Sequence, residues 1–225
     1  MLRLEAKAVS ERSNRDGILS AAASEFARKG FAGARVHAIA AEAGVNIALL
    51  YYYFDTKEEL YTAVLEQLFA DWAERVTNAL QQEGSSKQKL IAYLEAYFDF
   101  VAESPHRPRL VQQEMSQSGT AATRCVTELA TRYVRPVHRI LLEILEKGAH
   151  QGEFRQVSRD FVYTISATVV SYFTSSAFIQ AVTGHDPLTP AKVAERRSSV
   201  IDTISSALFA GPEGKKINHK EGQKI

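Results

Sequence analysis

From Phe161 to Thr183 the chain reads "FVYTISATVVSYFTSSAFIQAVT" and carries no formal charge. A run of that length belongs either in a lipid bilayer or among other protein surfaces. Thr164, Ser166, Thr168, Ser171, Thr174, Ser175, Ser176 and Gln180 recur along it, a set too polar for favourable insertion into hydrocarbon. The segment is therefore expected to be a helix buried on more than one side. One face would lie in the domain core and another against a second subunit, with the small Ser and Ala residues allowing close approach.

The remainder also reads as helix. Ile18, Leu19, Ala22 and Phe26 share one face of a first helix from about Ser13 to Lys29, which Gly30 is placed to end. Short helices follow at about Val36 to Ala43 and Ile47 to Phe54. A fourth begins at Thr56, an N-cap with Glu59 three residues on, and continues to about Gln82. "EGSSKQ" interrupts the pattern, as a domain boundary or a loop. Further helices are expected at 87 to 103, from about Arg109 to Ser116, from Ala121 to Lys147 with a kink at Pro136, at 159 to 183, and from Ala191 to Phe209. The expectation is an all-α fold of about nine helices. The tail "GPEGKKINHKEGQKI", residues 211–225, is polar and basic and is expected to be disordered.

With 225 residues, 45% of them hydrophobic and 24% charged, the chain has ordinary globular composition, and its net charge of +1 names no partner. The start of the chain has scattered charges and no apolar run of signal length, which predicts a cytoplasmic location without membrane attachment. Cys125 is the single cysteine, so an internal disulfide or a cysteine-rich metal site is excluded; core packing is its expected role, a redox-sensing thiol the alternative. The six histidines are scattered, and none pairs with another at the four-residue spacing of a helical metal site. Walker and nucleophile-elbow motifs do not occur. No enzyme, no cofactor and no metal are expected.

The stretch Ile39 to Leu50 is more telling. Two helices that meet at a sharp angle need a small residue at the contact, a glycine free to adopt a positive backbone angle, and apolar residues to close the wedge. Ala40, Gly44, Val45 and Leu50 supply these in order, the spacing of a helix-turn-helix. Tyr51, Tyr52 and Tyr53 then fan around most of a helix circumference, so they cannot all face one core. At least one must face outward, toward a partner.

The wider string "ILSAAASEFARKGFAGARVHAIAAEAGVNIALLYYYFDTKEELYTAVL" closely resembles the DNA-binding domain of the TetR family of transcriptional regulators, most specifically in "IAAEAGVNIALLYYYFDTKEEL". The resemblance implies a helix-turn-helix DNA-binding domain at 1–60 built on three helices, and an effector-binding and dimerisation domain at 61–210. Helix 47 to 54 would be the recognition helix in the major groove of an operator. Tyr51 matches the family's phosphate-binding tyrosine, Tyr52 would lie near the groove, and Tyr53 near the flanking backbone. Phe54 would turn into the core, and Lys57 would attract a phosphate at the start of the fourth helix. Bland packing is the competing role for these aromatics.

The chain also departs from the family pattern. A capping hydroxyl before helix two is missing, so Arg35 is expected to reach the phosphate. Ile47, Ala48 and Leu49 make the reading surface unusually apolar. Apolar groups discriminate by touching the thymine methyl, while Asn46 fits adenine and His37 a guanine acceptor. Residues 1–60 hold eight basic and eight acidic side chains, so phosphate attraction rests on local placement and on doubling by a dimer. Lys7, Arg12 and Arg15 would add an N-terminal arm.

By resemblance the last two helices pair with a second copy in a four-helix bundle, giving a homodimer on a pseudo-palindromic double-stranded DNA site. Tyr93, Tyr97 and Phe100 form a stripe that Met115, Leu129 and Tyr133 would face around a cavity for a small, mostly apolar or aromatic effector. Release of a repressor by that effector is the expected mode. The alternative is a regulator-derived interaction protein without sequence-specific DNA binding.

Overall fold

A computed structural model of the chain describes residues 2–105, 107–116 and 121–210, without the side chains of residues 2–12, 114, 116 and 121–124. The tail at 211–225 and the side chains of Lys7 and Arg12 lie outside the described residues. Helices α1 (Leu2–Gly33), α2 (Val36–Glu42) and α3 (Ile47–Tyr53) come first. They are followed by α4 (Lys57–Gln81), α5 (Ser86–Glu103), α6 (Arg107–Ser116), α7 (Ala121–Leu129), α8 (Arg135–His150), α9 (Phe161–Thr174), α10 (Ser176–Thr183) and α11 (Pro190–Leu208). Among the described residues the only extended pairing is one isolated bridge between Phe154 and Phe209, and the fold is all-α.

Local chemistry explains most boundaries. Gly30, at φ 67°, breaks the regular course of α1, as glycine's tolerance of that region permits. Thr56 caps α4 by accepting from the Glu59 N–H at 3.1 Å, while the Glu59 carboxylate accepts from Asp55 N–H at 2.9 Å. Ser85 and Gln88 form a capping box at α5. The loop between α4 and α5 lies inside one packing unit, because both helices bury residues in the same cluster on either side of it.

Two helices depart from expectation. At the kink expected by Pro136 the helix widens into a π turn over Ala130–Val134, just ahead of the proline. Proline's ring crowds the carbonyl four residues earlier, and the wider i→i+5 turn relieves that crowding. The uncharged segment is not one helix: α9 and α10 meet at 64° around Ser175. Among the described residues no single helix is long and apolar enough to cross a membrane, although the bent pair passes by length and composition.

Buried residues form two clusters that meet within α4. The first collects Ile18, Phe26, Ile39, Leu50, Phe54 and Leu65 from α1 to α4 and recruits Leu110, Val126 and Leu129 from α6 and α7. The second begins at Trp72 and gathers the inner faces of α4, α5, α8, α9 and α11. Arg197 fastens α11 to α5: its Nε donates to Asp99 at 2.8 Å, and a further nitrogen lies 3.3 Å from Glu95.

Candidate nucleic-acid interface and effector cavity

The turn between α2 and α3 is fixed by its backbone. Gly44 has φ 68°; its N–H donates to Ala41 O at 3.2 Å, and the Val45 N–H donates to Ala40 O at 3.0 Å. That pair of bonds is a Schellman ending, which needs a left-handed residue at Gly44. Leu50 and Phe54 close the wedge, each almost fully buried. With its inner face thus pinned, α3 presents Tyr51, 46% exposed, and Tyr52, 73% exposed. The Tyr53 ring is half-buried and meets Tyr52 edge-on at 5.3 Å.

The other expected contact residues divide. Arg35, His37, Asn46 and Ala48 are exposed, whereas Ile47 and Leu49 are half-buried, Ile47 against the first core. Asn46 Oδ1 caps α3 by accepting from Leu49 N–H at 2.7 Å. A bidentate adenine contact needs that same oxygen, so base reading by Asn46 competes with the cap. Lys57 folds back instead of projecting: its Nζ donates to Ala32 O at 3.4 Å and lies 4.8 Å from the centre of the Phe31 ring. Arg15 stacks over Phe54 at 5.4 Å, so its guanidinium packs against the domain.

Sequence reasoning overlooked Glu25. Its buried carboxylate accepts from Arg28, lies 3.1 Å from Lys29, and accepts from the Arg35 backbone N–H at 3.3 Å. It thereby ties the Arg35 backbone to α1 just ahead of α2, whose first-turn N–H groups receive no side-chain cap. Arg28 first, then Lys29, holds the Glu25 carboxyl down to about 2 from its ordinary 4.5. The i, i+3 and i, i+4 spacing to two cations was a visible signal for this cluster.

The second cluster leaves a hole of about 440 Å³ between α4, α5, α6 and α9, within the range of small-molecule sites. Trp72, Tyr97, Phe100, Val111, Met115 and Val170 are among its walls. Of the expected sensor residues, Tyr97, Phe100 and Met115 border the space. Tyr93, Leu129 and Tyr133 do not, and each for a packing reason. Tyr93 is buried behind Tyr97, ring centres 5.9 Å apart, and Leu129 belongs to the first core. The π turn shifts the register by about one residue, so that Val134 reaches the cavity while the Tyr133 hydroxyl donates to Glu66 at 3.2 Å. Burial pushes the Tyr97 phenol up to about 12, against a hydrogen bond from Ser166, so this wall stays uncharged at neutral pH. The Trp72 indole N–H is buried without a partner among the described residues.

α6 serves both regions. Leu110 is fully buried in the first core, while Pro108, Val111 and Met115 line the cavity. Elsewhere on α9 and α10, Tyr163, Phe178 and Val182 of the uncharged segment stand 62%, 72% and 68% exposed.

Comparison with known proteins gives two family matches. Residues 18–64 match the model of bacterial regulatory proteins of the tetR family, and residues 87–204 match the tetracyclin repressor-like C-terminal domain. The chain is 26% identical over 161 residues to the fatty acid metabolism regulator protein of Bacillus subtilis, covering 69% of this chain and 81% of that one. It is 27% identical over 168 residues to the transcriptional repressor NicS of Pseudomonas putida, covering 72% and 76%. The fold is that of the regulator FadR from Bacillus subtilis, solved in complex with stearoyl-CoA, at TM-score 0.64 and 22% identity over 85% of this chain and 97% of the other.

Proposed function

The chain belongs to the TetR family of DNA-binding transcriptional regulators, not to any enzyme class, and on that premise we propose that it is a homodimeric repressor of a pseudo-palindromic operator, released by a small, largely apolar or aromatic effector. The observation that carries the DNA reading is the outward face of α3, where Tyr51 and Tyr52 lie open on a helix whose opposite side is pinned in the core. In this reading Tyr51 donates to a phosphate, Tyr52 and Tyr53 lie along the groove edge, and Arg35, with Lys57 once it leaves Phe31, meets the backbone. Ala48, with Ile47 and Leu49 beside it, touches thymine methyls, flanked by His37 and Asn46. Residues 1–60 form the DNA-binding domain and 61–210 the domain for effector and dimer.

Dimerisation is supported by α9 and α10, whose uncharged sequence carries three large, exposed apolar side chains. A twofold partner would cover them and set two copies of α3 on one face of the duplex. Release is supported by α6: an occupant pressing on Val111 and Met115 moves the helix that holds Leu110 in the first core. Free energy would then pass between the two sites through one rigid element.

Selection of bound fragments from a random DNA pool by the full-length protein tests this. A palindromic consensus is expected, with thymines opposite Ala48. Uracil in their place should weaken binding by roughly 1 kcal/mol each, since only the methyl is lost. Absence of any selected sequence at low and moderate salt would leave a regulator-derived interaction protein as the reading.

A further inference from the structure

Arg107 stands where three hollows meet. It borders the large cavity, a groove of about 430 Å³ that also touches Asp71, Glu74, Arg75 and Glu103, and a smaller hollow of about 130 Å³ against α1. Its Cζ lies 4.8 Å from the centre of the Phe100 ring, and Phe100 is shared between cavity and groove. The ring therefore holds the guanidinium at the mouth of an otherwise uncharged space.

A guanidinium offers five N–H donors in a rigid fork. Among the described residues Arg107 makes no side-chain hydrogen bond or ion pair. Its neighbours do not complete it. Glu103 is taken by Arg75 at 2.6 Å. Asp71 attracts Arg107 without pairing with it, and burial raises the Asp71 carboxyl from its ordinary range, so its surroundings disfavour a charge there. The site thus has an apolar bed and one cation with unused donors.

Resting on the reading of the cavity as an effector site, we infer that the effector is an apolar carboxylate, its head held by the Arg107 fork at the cavity mouth and its body lying against Trp72, Phe100 and Val170. A planar carboxylate matches the guanidinium with two parallel hydrogen bonds. A phosphate fits less well, because its second negative charge would face Asp71 and Glu74, and of the described cations around these hollows Arg75 is already paired with Glu103. Entry requires Arg107 to swing on its stem, the ring of Phe100 remaining in place.

Isothermal titration of the full chain at neutral pH with decanoate, 1-decanol and decyl phosphate tests the assignment. Decanoate should bind about tenfold more tightly than decanol, as a charge-assisted bidentate pair would give, and more tightly than decyl phosphate. Arg107→Met keeps the apolar stem over Phe100, so decanoate should fall to the level of decanol while decanol is unchanged. Arg107→Lys, which keeps charge without the fork, should fall between. Asp71→Asn should tighten decanoate and decyl phosphate and leave decanol unchanged. Equal binding of decanoate and decanol, with Arg107→Met indifferent to both, would overturn the carboxylate and leave the apolar cavity standing. Preference for decyl phosphate would overturn the choice of anion. Failure of all three ligands on the unaltered chain would remove the cavity reading and the inference with it.

Discussion

In the α2–α3 turn, the interactions that set the helix angle arise within the short stretch from Ile39 to Phe54: two backbone bonds at Gly44 and Val45, the Asn46 cap, and Leu50 and Phe54 beneath. In the cavity, walls come from residues as far apart in sequence as Leu68 and Thr174. The first region is a shape that a short peptide code can specify. The second is a space left over when four helices have finished packing. The proposed function draws on both, because a surface that reads DNA must be rigid while a cavity that takes an effector must tolerate being filled.

The strongest test of this contrast asks whether the two regions fold as one. Phe26 and Phe173 are each fully buried, one in each core, and removing either ring should cost about 3–5 kcal/mol. α4 contributes Leu65 to one core and Trp72 to the other, so both Phe26→Ala and Phe173→Ala should lower a single urea transition. Trp72 is the chain's one tryptophan, and its fluorescence should report the same midpoint as far-UV circular dichroism. Two separated midpoints in Phe26→Ala would show the reading head melting alone.

Acid sharpens the contrast from the N-terminal side. Glu25 is held at about 2 in the fold against an ordinary 4.5, so the unfolded chain binds more protons in the interval. The stability it contributes is complete above pH 4.5 and is lost as pH falls toward 2. Glu25→Gln should flatten that part of the acid limb and weaken the entry to α2 at neutral pH. Equilibrium unfolding at stepped pH reads the change; an unaltered acid limb would mean that Arg28 and Lys29 do not hold the carboxylate in solution.

What was legible in the sequence follows the same division. Gly44, Thr56 and the Ala40-to-Leu50 wedge act on near neighbours, and α2, α3 and α4 were read almost to the residue; α1 was not, since it starts at Leu2 instead of about Ser13 and Gly30 kinks it without ending it before Gly33. The Asn46 cap and the Glu25 cluster were equally local but were overlooked, because both residues also fit other roles. The cavity was half legible. Tyr97, Phe100 and Met115 share a stripe that sequence shows, but whether a stripe faces a hole depends on a π turn near Pro136 and on a bend at Ser175. Neither has a periodic signature. Arg107 could not have been singled out, since an arginine before a proline says nothing of which hollows converge on it.

The smallest effect expected is at Gly44, and it discriminates well for that reason. Its φ of 68° lies in the left-handed region, yet an added methyl there would meet nothing within 4 Å. Gly44→Ala therefore carries only the backbone cost of an L-residue in that conformation, about 1 kcal/mol. If the turn is specified locally, the variant should lose that much stability by chemical denaturation, keep its cavity, and bind decanoate as the parent does. Operator affinity should fall by less than tenfold, because the angle of α3 is kept by Leu50 and Phe54 beneath it. A much larger loss of operator binding would mean that the turn sets the angle of α3 alone, and that the core beneath contributes little to aiming it.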